Sequence, residues 1–294
     1  MLNQPLEQQL KQLCLPTFAQ SHMLLAEQCE QQSKTYVDYL AELTSAELTH
    51  RYQQRIARLL KQARLPRNKH LVDFDIKRIP GLSPTTVQQL AQGEFIDRYE
   101  NLIILGNPGT GKTHLSIALA REWCLLGRKV YFTQASHLVQ QLLEAKAALK
   151  LSQWIKKLDH FDVLLIDDIS YVPYDRHETD VLFNLLSARY ETRSTVVTSN
   201  LPFAKWDSIF KDEMTTAAAV DRLVHHSVIL ELNTESYRIS QAKKQAKKGQ
   251  PMEPTARMPL VARGSEKAGT VDKTHTATED ALSHDDSHVT SHSS

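Results

Sequence analysis

The sequence predicts an α/β protein: a parallel sheet flanked by helices, with an all-helical N-terminal region and a disordered C-terminal tail. Three observations carry this. Residues 4 to about 65 contain no glycine and repeat apolar residues at helical spacing. Between residues 101 and 232, strand-length apolar runs alternate with helical patterns, as parallel βαβ units require. Beyond Gly249 no aromatic residue occurs, and Ser, Thr, His, Asp and Pro dominate, a composition that cannot build a core. The expected division is 1–68 helical, 69–240 the α/β core, and 241–294 a basic stretch and tail.

Bulk properties exclude more than they assign. Lys and Arg number 35 against 34 Asp and Glu, so whole-chain charge is silent about nucleic acid and only local clusters can speak. Three cysteines, Cys14, Cys29 and Cys124, form no C-x-x-C, which argues against a disulfide framework or a thiolate zinc site. The first residues lack a basic segment followed by an apolar core, and no apolar run reaches membrane-spanning length. A soluble, cytoplasmic protein with no membrane partner is the expectation.

In the N-terminal region Leu6, Leu10 and Leu13 recur at helical spacing, followed by Leu24, Leu25 and Cys29. After a break at Ser33-Lys34-Thr35 the pattern resumes with Tyr36, Tyr39 and Leu40. Ser45, with Glu47 behind it, reads as the N-cap of the next helix. That helix carries Arg51, Arg55, Arg58, Lys61 and Arg64. From Leu48 to Val72 there are seven basic residues and no acidic one. Spacings of four, three and three put Arg51, Arg55, Arg58 and Lys61 on one face, opposite Ile56, Leu59, Leu60 and Ala63. Such a face suits the phosphate backbone of DNA, and equally a solvated surface helix. With no base-reading motif, a DNA contact here positions rather than specifies.

Residues 66 to 100 form a connector, in which Phe74 and Ile79 are candidates for the wall of a base pocket. The run Asn101–Leu105 then reads as a strand, and His114–Trp123 as a helix. Between them stands Gly106-Asn107-Pro108-Gly109-Thr110-Gly111-Lys112-Thr113, a G-x-x-x-x-G-K-T loop. Its glycines let backbone N–H groups curl around phosphate oxygens at a helix N-terminus. Lys112 reaches the β- and γ-phosphates and the Thr113 hydroxyl coordinates Mg2+. The nucleotide-binding set is thus Gly106 to Thr113 together with His114, and the cofactors are ATP and Mg2+.

After a strand at 129–133 and helical segments around Leu138–Leu149 and Trp154–Leu158 comes Phe161-Asp162-Val163-Leu164-Leu165-Ile166-Asp167-Asp168. An apolar run ending in paired carboxylates is a buried parallel strand whose C-terminal end meets the ligand. Asp167 is expected in the Mg2+ shell, and Asp168 is expected to orient or deprotonate the attacking water. Because a whole strand lies between Lys112 and Asp167, the acidic strand is not the next one in sequence after the loop. A helix at 178–191 leads to the strand 195–200, whose end places Asn200, or alternatively Thr198, near the γ-phosphate and the water. Arg222, in a helix before the last strand at 228–232, is either a local ion pair with Asp221 or Glu231 or a finger for a neighbour's nucleotide. His225 and His226 look like a metal pair, but no third ligand stands at metal-site spacing. Lys243, Lys244, Lys247 and Lys248 form a second basic cluster. The tail histidines, His275, His284, His288 and His292, suggest only adventitious metal binding.

Several stretches together carry a family resemblance. They are Ala63-Arg64-Leu65-Pro66, Glu100–Gly106, Gly111–Leu115, Arg189-Tyr190-Glu191, Thr198-Ser199-Asn200-Leu201-Pro202-Phe203, Asp221-Arg222-Leu223-Val224-His225-His226 and Glu235-Ser236-Tyr237-Arg238. From about Leu10 to Arg238 the chain resembles the IstB family of transposition helper ATPases, a branch of the AAA+ class related to the DnaC helicase loaders. The resemblance implies an ATPase that oligomerises on double-stranded DNA and works with a separately encoded transposase. It implies that Asn200 is the first sensor and that Arg222 is an arginine finger acting in trans on the adjacent subunit of a homo-oligomer. It gives the N-terminal helices contacts to DNA and transposase, with Arg51, Arg55, Arg58, Lys61 and Arg64 as the DNA-facing set. The AAA+ lid is absent in this family, which leaves Arg238 without an assigned role. A DnaC-like helicase loader is the alternative on nearly the same core. A small-molecule kinase lacks an acceptor pocket or lid arginines.

Overall fold

The computed structural model describes residues 5–170, 174–206, 213–234, 236, 237 and 239. Arg238, the lysine cluster at 243–248, the tail and its histidines lie outside the described residues.

The N-terminal region is helical as expected: α1 (Leu6–Gln12), α2 (Pro16–Gln31) and α3 (Tyr36–Ala63). Pro16 opens α2 at the position where a missing N–H costs nothing. The break before α3 is real, with Ser33 in the left-handed region at φ 49°. Ser45, however, does not start a helix. Thr35 does, because its hydroxyl accepts from Asp38 N at 3.2 Å while the Asp38 carboxylate accepts from Thr35 N at 3.0 Å. This reciprocal capping box fixes α3 ten residues earlier, and nothing between Thr35 and Ser45 interrupts the ladder. Leu10, Cys29 and Leu43 are buried, whereas Leu24, Tyr36 and Leu40 are exposed. Periodicity identifies a face but not a partner to cover it.

The C-terminal half of α3 is part of the main core. Ile56, Leu59 and Ala63 pack in one cluster with Leu102 and Ile104 of β1 (Asn101–Leu105) and with Leu115, Leu119 and Trp123 of α6 (Lys112–Leu125). The connector contributes α4 (Pro84–Gln92) and α5 (Glu94–Asp97), and buries Ile79, Val87 and Phe95 in the same cluster. Trp123 donates its indole N–H to Leu90 O at 2.8 Å, which satisfies the one polar atom of a fully buried ring.

The other strands are β2 (Val130–Gln134), β3 (Val163–Asp167), β4 (Ser194–Ser199) and β5 (Ser227–Glu231). They form a five-stranded parallel sheet in the order β2-β3-β4-β1-β5. In sequence β2 stands between β1 and the acidic strand β3, as the spacing of the two motifs predicts, and in the sheet β4 separates β3 from β1. Alternate residues of the central strands feed opposite layers: Leu102, Ile104, Val163 and Leu165 face the α3/α6 side. Ile103, Leu105, Leu164 and Ile166 face α7 (Ala135–Ala147) and α9 (Arg176–Arg189). Burial on both faces explains why these strands read as continuous apolar runs. Two further helices, α8 (Leu151–Leu158) and α10 (Glu213–Val224), precede β3 and β5. Among the described residues no helix is long and apolar enough to cross a membrane.

Candidate active site

The loop between β1 and α6 is a backbone cradle. Gly109 and Gly111 adopt φ of 81° and 102°, conformations that side chains disfavour, and Gly111 opens α6 as its N-cap. A Cβ at Gly106 would stand 2.7 Å from Leu232 O, so the loop is pinned against the segment after β5. That segment also donates Tyr237 N to Gly109 O at 2.9 Å.

Around the cradle the side chains form a continuous hydrogen-bonded circuit. Lys112 is nearly buried, and its ammonium donates to Gly106 O at 2.7 Å, Asn107 O at 3.0 Å and Asn200 Oδ1 at 2.6 Å. Asn200, at the end of β4, turns its Nδ2 to Asp168 Oδ1 at 2.8 Å. Asp168 N in turn donates to Thr198 Oγ1 at 2.8 Å, and Thr198 donates to Asp167 Oδ1 at 2.7 Å. The Thr113 hydroxyl closes the circuit on Asp167, 2.9 Å from Oδ1 and 3.2 Å from Oδ2. The ends of β1, β3 and β4 thus bring together Lys112, Thr113, Asp167, Asp168 and Asn200, all five of which the sequence singles out.

Burial pushes the Asp168 carboxyl above the usual carboxylate range, and the neighbouring Asp167 charge adds to this. Lys112 and the Asn200 hydrogen bond pull in the other direction without cancelling it. Asp168 also sits in the left-handed region at φ 59°, which turns its carboxyl off the strand axis toward Asn200. A carboxyl raised toward neutrality and aimed by an amide is suited to accept a proton from water. Thr113 and Asp167 supply a hydroxyl and a carboxylate, hard oxygen donors of the kind Mg2+ takes beside substrate phosphates.

Other sequence-predicted residues fall around this centre. His114 rests its Nε2 against His70 O at 3.0 Å, and its ring lies 5.5 Å from that of Phe74. Phe74 itself lies 3.0 Å from where a Gly111 Cβ would stand, beside the loop, whereas Ile79 is buried in the core. Arg222 makes no ion pair with Asp221 or Glu231 among the described residues. Its guanidinium lies 4.7 Å from the Phe183 ring centroid and donates to Ala218 O at 3.1 Å. Arg51 and Arg55 are less available than their spacing suggests. Arg51 pairs with Glu47 at 2.8 Å and donates to Cys14 O at 2.6 Å, while Arg55 donates to Gly127 O at 3.3 Å. Burial raises the Glu47 carboxyl, but hydrogen bonds from Arg51 and Thr17 outweigh it and hold the group below the usual range. Arg58, Lys61 and Arg64 are exposed, as Arg51 and Arg55 also are; Arg58 donates to Gln54 O at 3.3 Å and the Arg64 guanidinium lies 5.7 Å from the Tyr131 ring centroid.

Three supporting roles escaped the sequence reading. Thr198, considered there only as a substitute for Asn200, instead orders both aspartates. Ser170 Oγ accepts from Asn200 N at 2.8 Å and sets that residue's backbone. Asn101 is buried, accepts from Thr195 N at 2.9 Å, and donates to Leu223 O at 3.1 Å and Arg222 O at 3.3 Å. It ties the end of α10, which carries Arg222, to the sheet. A buried amide at the start of an otherwise apolar strand is the one signal that pointed to it.

The family pattern described as IstB-like ATP binding protein matches residues 8–246. An insertion sequence ATP-binding protein of Sinorhizobium fredii is 42% identical over 230 residues, covering 78% of this chain and 77% of that one. The IS21 ATP-binding protein of Pseudomonas aeruginosa is 39% identical over 220 residues, 75% and 83% of the two chains. In fold, the chain is similar to a crystallised DNA replication initiation factor, with TM-score 0.51 at 20% identity. That match covers 63% of this chain and 56%, just over half, of the other. It is also similar to domain III of the Thermotoga maritima replication initiation protein DnaA, with TM-score 0.50 at 22% identity over 64% and 78% of the two chains. The core is thus an AAA+ fold, and the chain belongs to the IstB-like ATP-binding protein family.

Proposed function

We propose that the chain is a Mg2+-dependent ATPase that assembles as a homo-oligomer on double-stranded DNA and regulates a separately encoded transposase. The carrying observation is the circuit from Lys112 through Asn200, Asp168 and Thr198 to Asp167 and Thr113, which unites a phosphate-binding ammonium with a candidate base. In this reading Lys112 exchanges its loop carbonyls for the β- and γ-phosphates of ATP. Thr113 and Asp167 hold Mg2+, which neutralises charge developing on the phosphates. Asp168 takes the proton of the attacking water while Asn200 orients that water and senses the γ-phosphate. Arg222, resting on Phe183 within its own subunit, reaches the nucleotide of the next subunit. The helical region 1–68 contacts DNA and transposase, and 69–240 is the motor. The relatives' association with insertion sequences favours this reading over a helicase loader.

Phosphate release, followed with and without duplex DNA over a series of salt concentrations, tests it. We expect stimulation by DNA that weakens as salt rises, because phosphate contacts release counterions. Hydrolysis indifferent to duplex at every salt concentration contradicts it.

A further inference from the structure

A second cleft lies away from the nucleotide loop. It measures about 780 Å3 and is walled by the end of α3, by α8 and by the residues that lead into β2 and β3. Lys129 and Phe161 on its wall precede those strands, whereas Asp167 ends β3, so the cleft opens at the opposite end of the sheet from the ATP site. Five permanent cations line it: Arg58, Lys61, Arg64, Lys129 and Lys157. No carboxylate lines it, and none of the five forms an ion pair among the described residues. Some cations elsewhere are paired, as Arg51 is with Glu47 and Arg189 with Asp159, but here five stand together with no carboxylate among them. Like charges gathered from three separate elements repel one another unless an anion sits between them. Their spread over the wall suits several phosphates rather than one.

The aromatic part of the wall selects among polyanions. Trp154 lines the cleft half-buried against the core, its indole nitrogen shielded from solvent and without an acceptor among the described residues, and the Lys157 ammonium lies 4.6 Å from its ring centroid. Cations beside an indole in a cleft wall are how single strands are held, since an unstacked base offers its π-face and a base paired within a duplex does not. We propose that this cleft binds an unpaired segment of nucleic acid, with phosphates on Arg58, Lys61, Lys129 and Lys157 and one base against Trp154. The inference rests on the DNA-bound reading above and extends it to an unpaired strand.

The test uses the full chain, a short fluorescein-labelled oligothymidylate and a duplex of the same length. The double variant Lys129→Gln/Lys157→Gln changes two exposed side chains, and an unaltered melting temperature confirms its fold. Single-strand affinity should fall about tenfold or more, and the log–log salt slope should shrink by about 1.4, that is about 0.7 for each lost phosphate contact. Of the three tryptophans, Trp123 and Trp206 are fully buried, so strand binding should quench Trp154 emission, and Trp154→Phe should abolish that quench. Unchanged affinity and slope in the double variant overturn the proposal. So does preferential duplex binding with no change in tryptophan emission. If strand binding depends on Lys129 and Lys157 while hydrolysis ignores duplex, the function proposed above fails and the cleft stands.

Discussion

Lys112 and Asn200 are joined directly: the P-loop ammonium donates to the Asn200 amide oxygen at 2.6 Å, although 88 positions separate them in sequence. The same amide donates to Asp168 at 2.8 Å. One side chain therefore links the group that grips phosphate to the group that handles water. A nucleotide that takes the place of the loop carbonyls on Lys112 would shift the ammonium on which this amide rests, and so couple phosphate occupancy to the candidate base through a single residue.

Asn200→Ala should therefore separate binding from turnover. Nucleotide affinity, followed with a fluorescent ATP analogue, should change only a few-fold, because Lys112 and the loop backbone remain. Phosphate release should drop about 100- to 1,000-fold, the usual cost of losing one preorganised donor. Parallel losses in affinity and rate would instead make Asn200 a binding residue.

Asp168 has a pH signature with a definite sign. Its folded-state carboxyl is raised, so the folded protein holds the proton more tightly than the unfolded chain does. Its contribution to stability is full below the unfolded pKa and is lost as pH rises through the folded value. Hydrolysis runs the other way, rising with pH as the carboxyl ionises. Asp168→Asn should then abolish hydrolysis while raising the melting temperature slightly at neutral pH, the trade expected of a strained catalytic site. A lower melting temperature for this variant across the neutral range would contradict the assignment.

Thr198→Val keeps the shape of β4 and removes the hydroxyl that bridges the two aspartates. It strands the backbone N–H of Asp168 and leaves Asp167 Oδ1 with the Thr113 hydroxyl alone. Urea unfolding should show a loss of about 1–3 kcal/mol, with hydrolysis reduced more than nucleotide binding. An unchanged midpoint would mean that water replaces the hydroxyl.

Which of these residues the sequence reveals follows from how each is specified. The Gly106–Thr113 loop, Asp167 and the inserted strand are legible because backbone geometry demands fixed residues at fixed local spacing. The roles of Thr198, Ser170 and Asn101 arise only when strands far apart in sequence become neighbours, and no local pattern encodes them. Thr35 and Ser45 illustrate the same limit within a helix. Both are acceptable caps, and the choice rests on Asp38 returning a hydrogen bond that Leu48 cannot return at the matching position after Ser45. The basic face of α3 was visible as a stripe, but Arg51 and Arg55 are drawn into contacts with Glu47, Cys14 and Gly127. Arg58 likewise donates to Gln54 O and Arg64 stands over the Tyr131 ring, contacts that only the assembled fold reveals.

The central claim is that each ATP site is completed by the neighbouring subunit's arginine. Two inactive proteins test it together. Lys112→Ala should lose nucleotide binding yet keep its Arg222, while Arg222→Ala should bind ATP normally and fail to hydrolyse it. Mixed and shown to co-assemble on duplex DNA, they should recover phosphate release, because intact loops from one partner meet intact arginines from the other. A co-assembled mixture as inactive as its parts, or an Arg222→Ala protein that cannot bind ATP, would contradict a shared site.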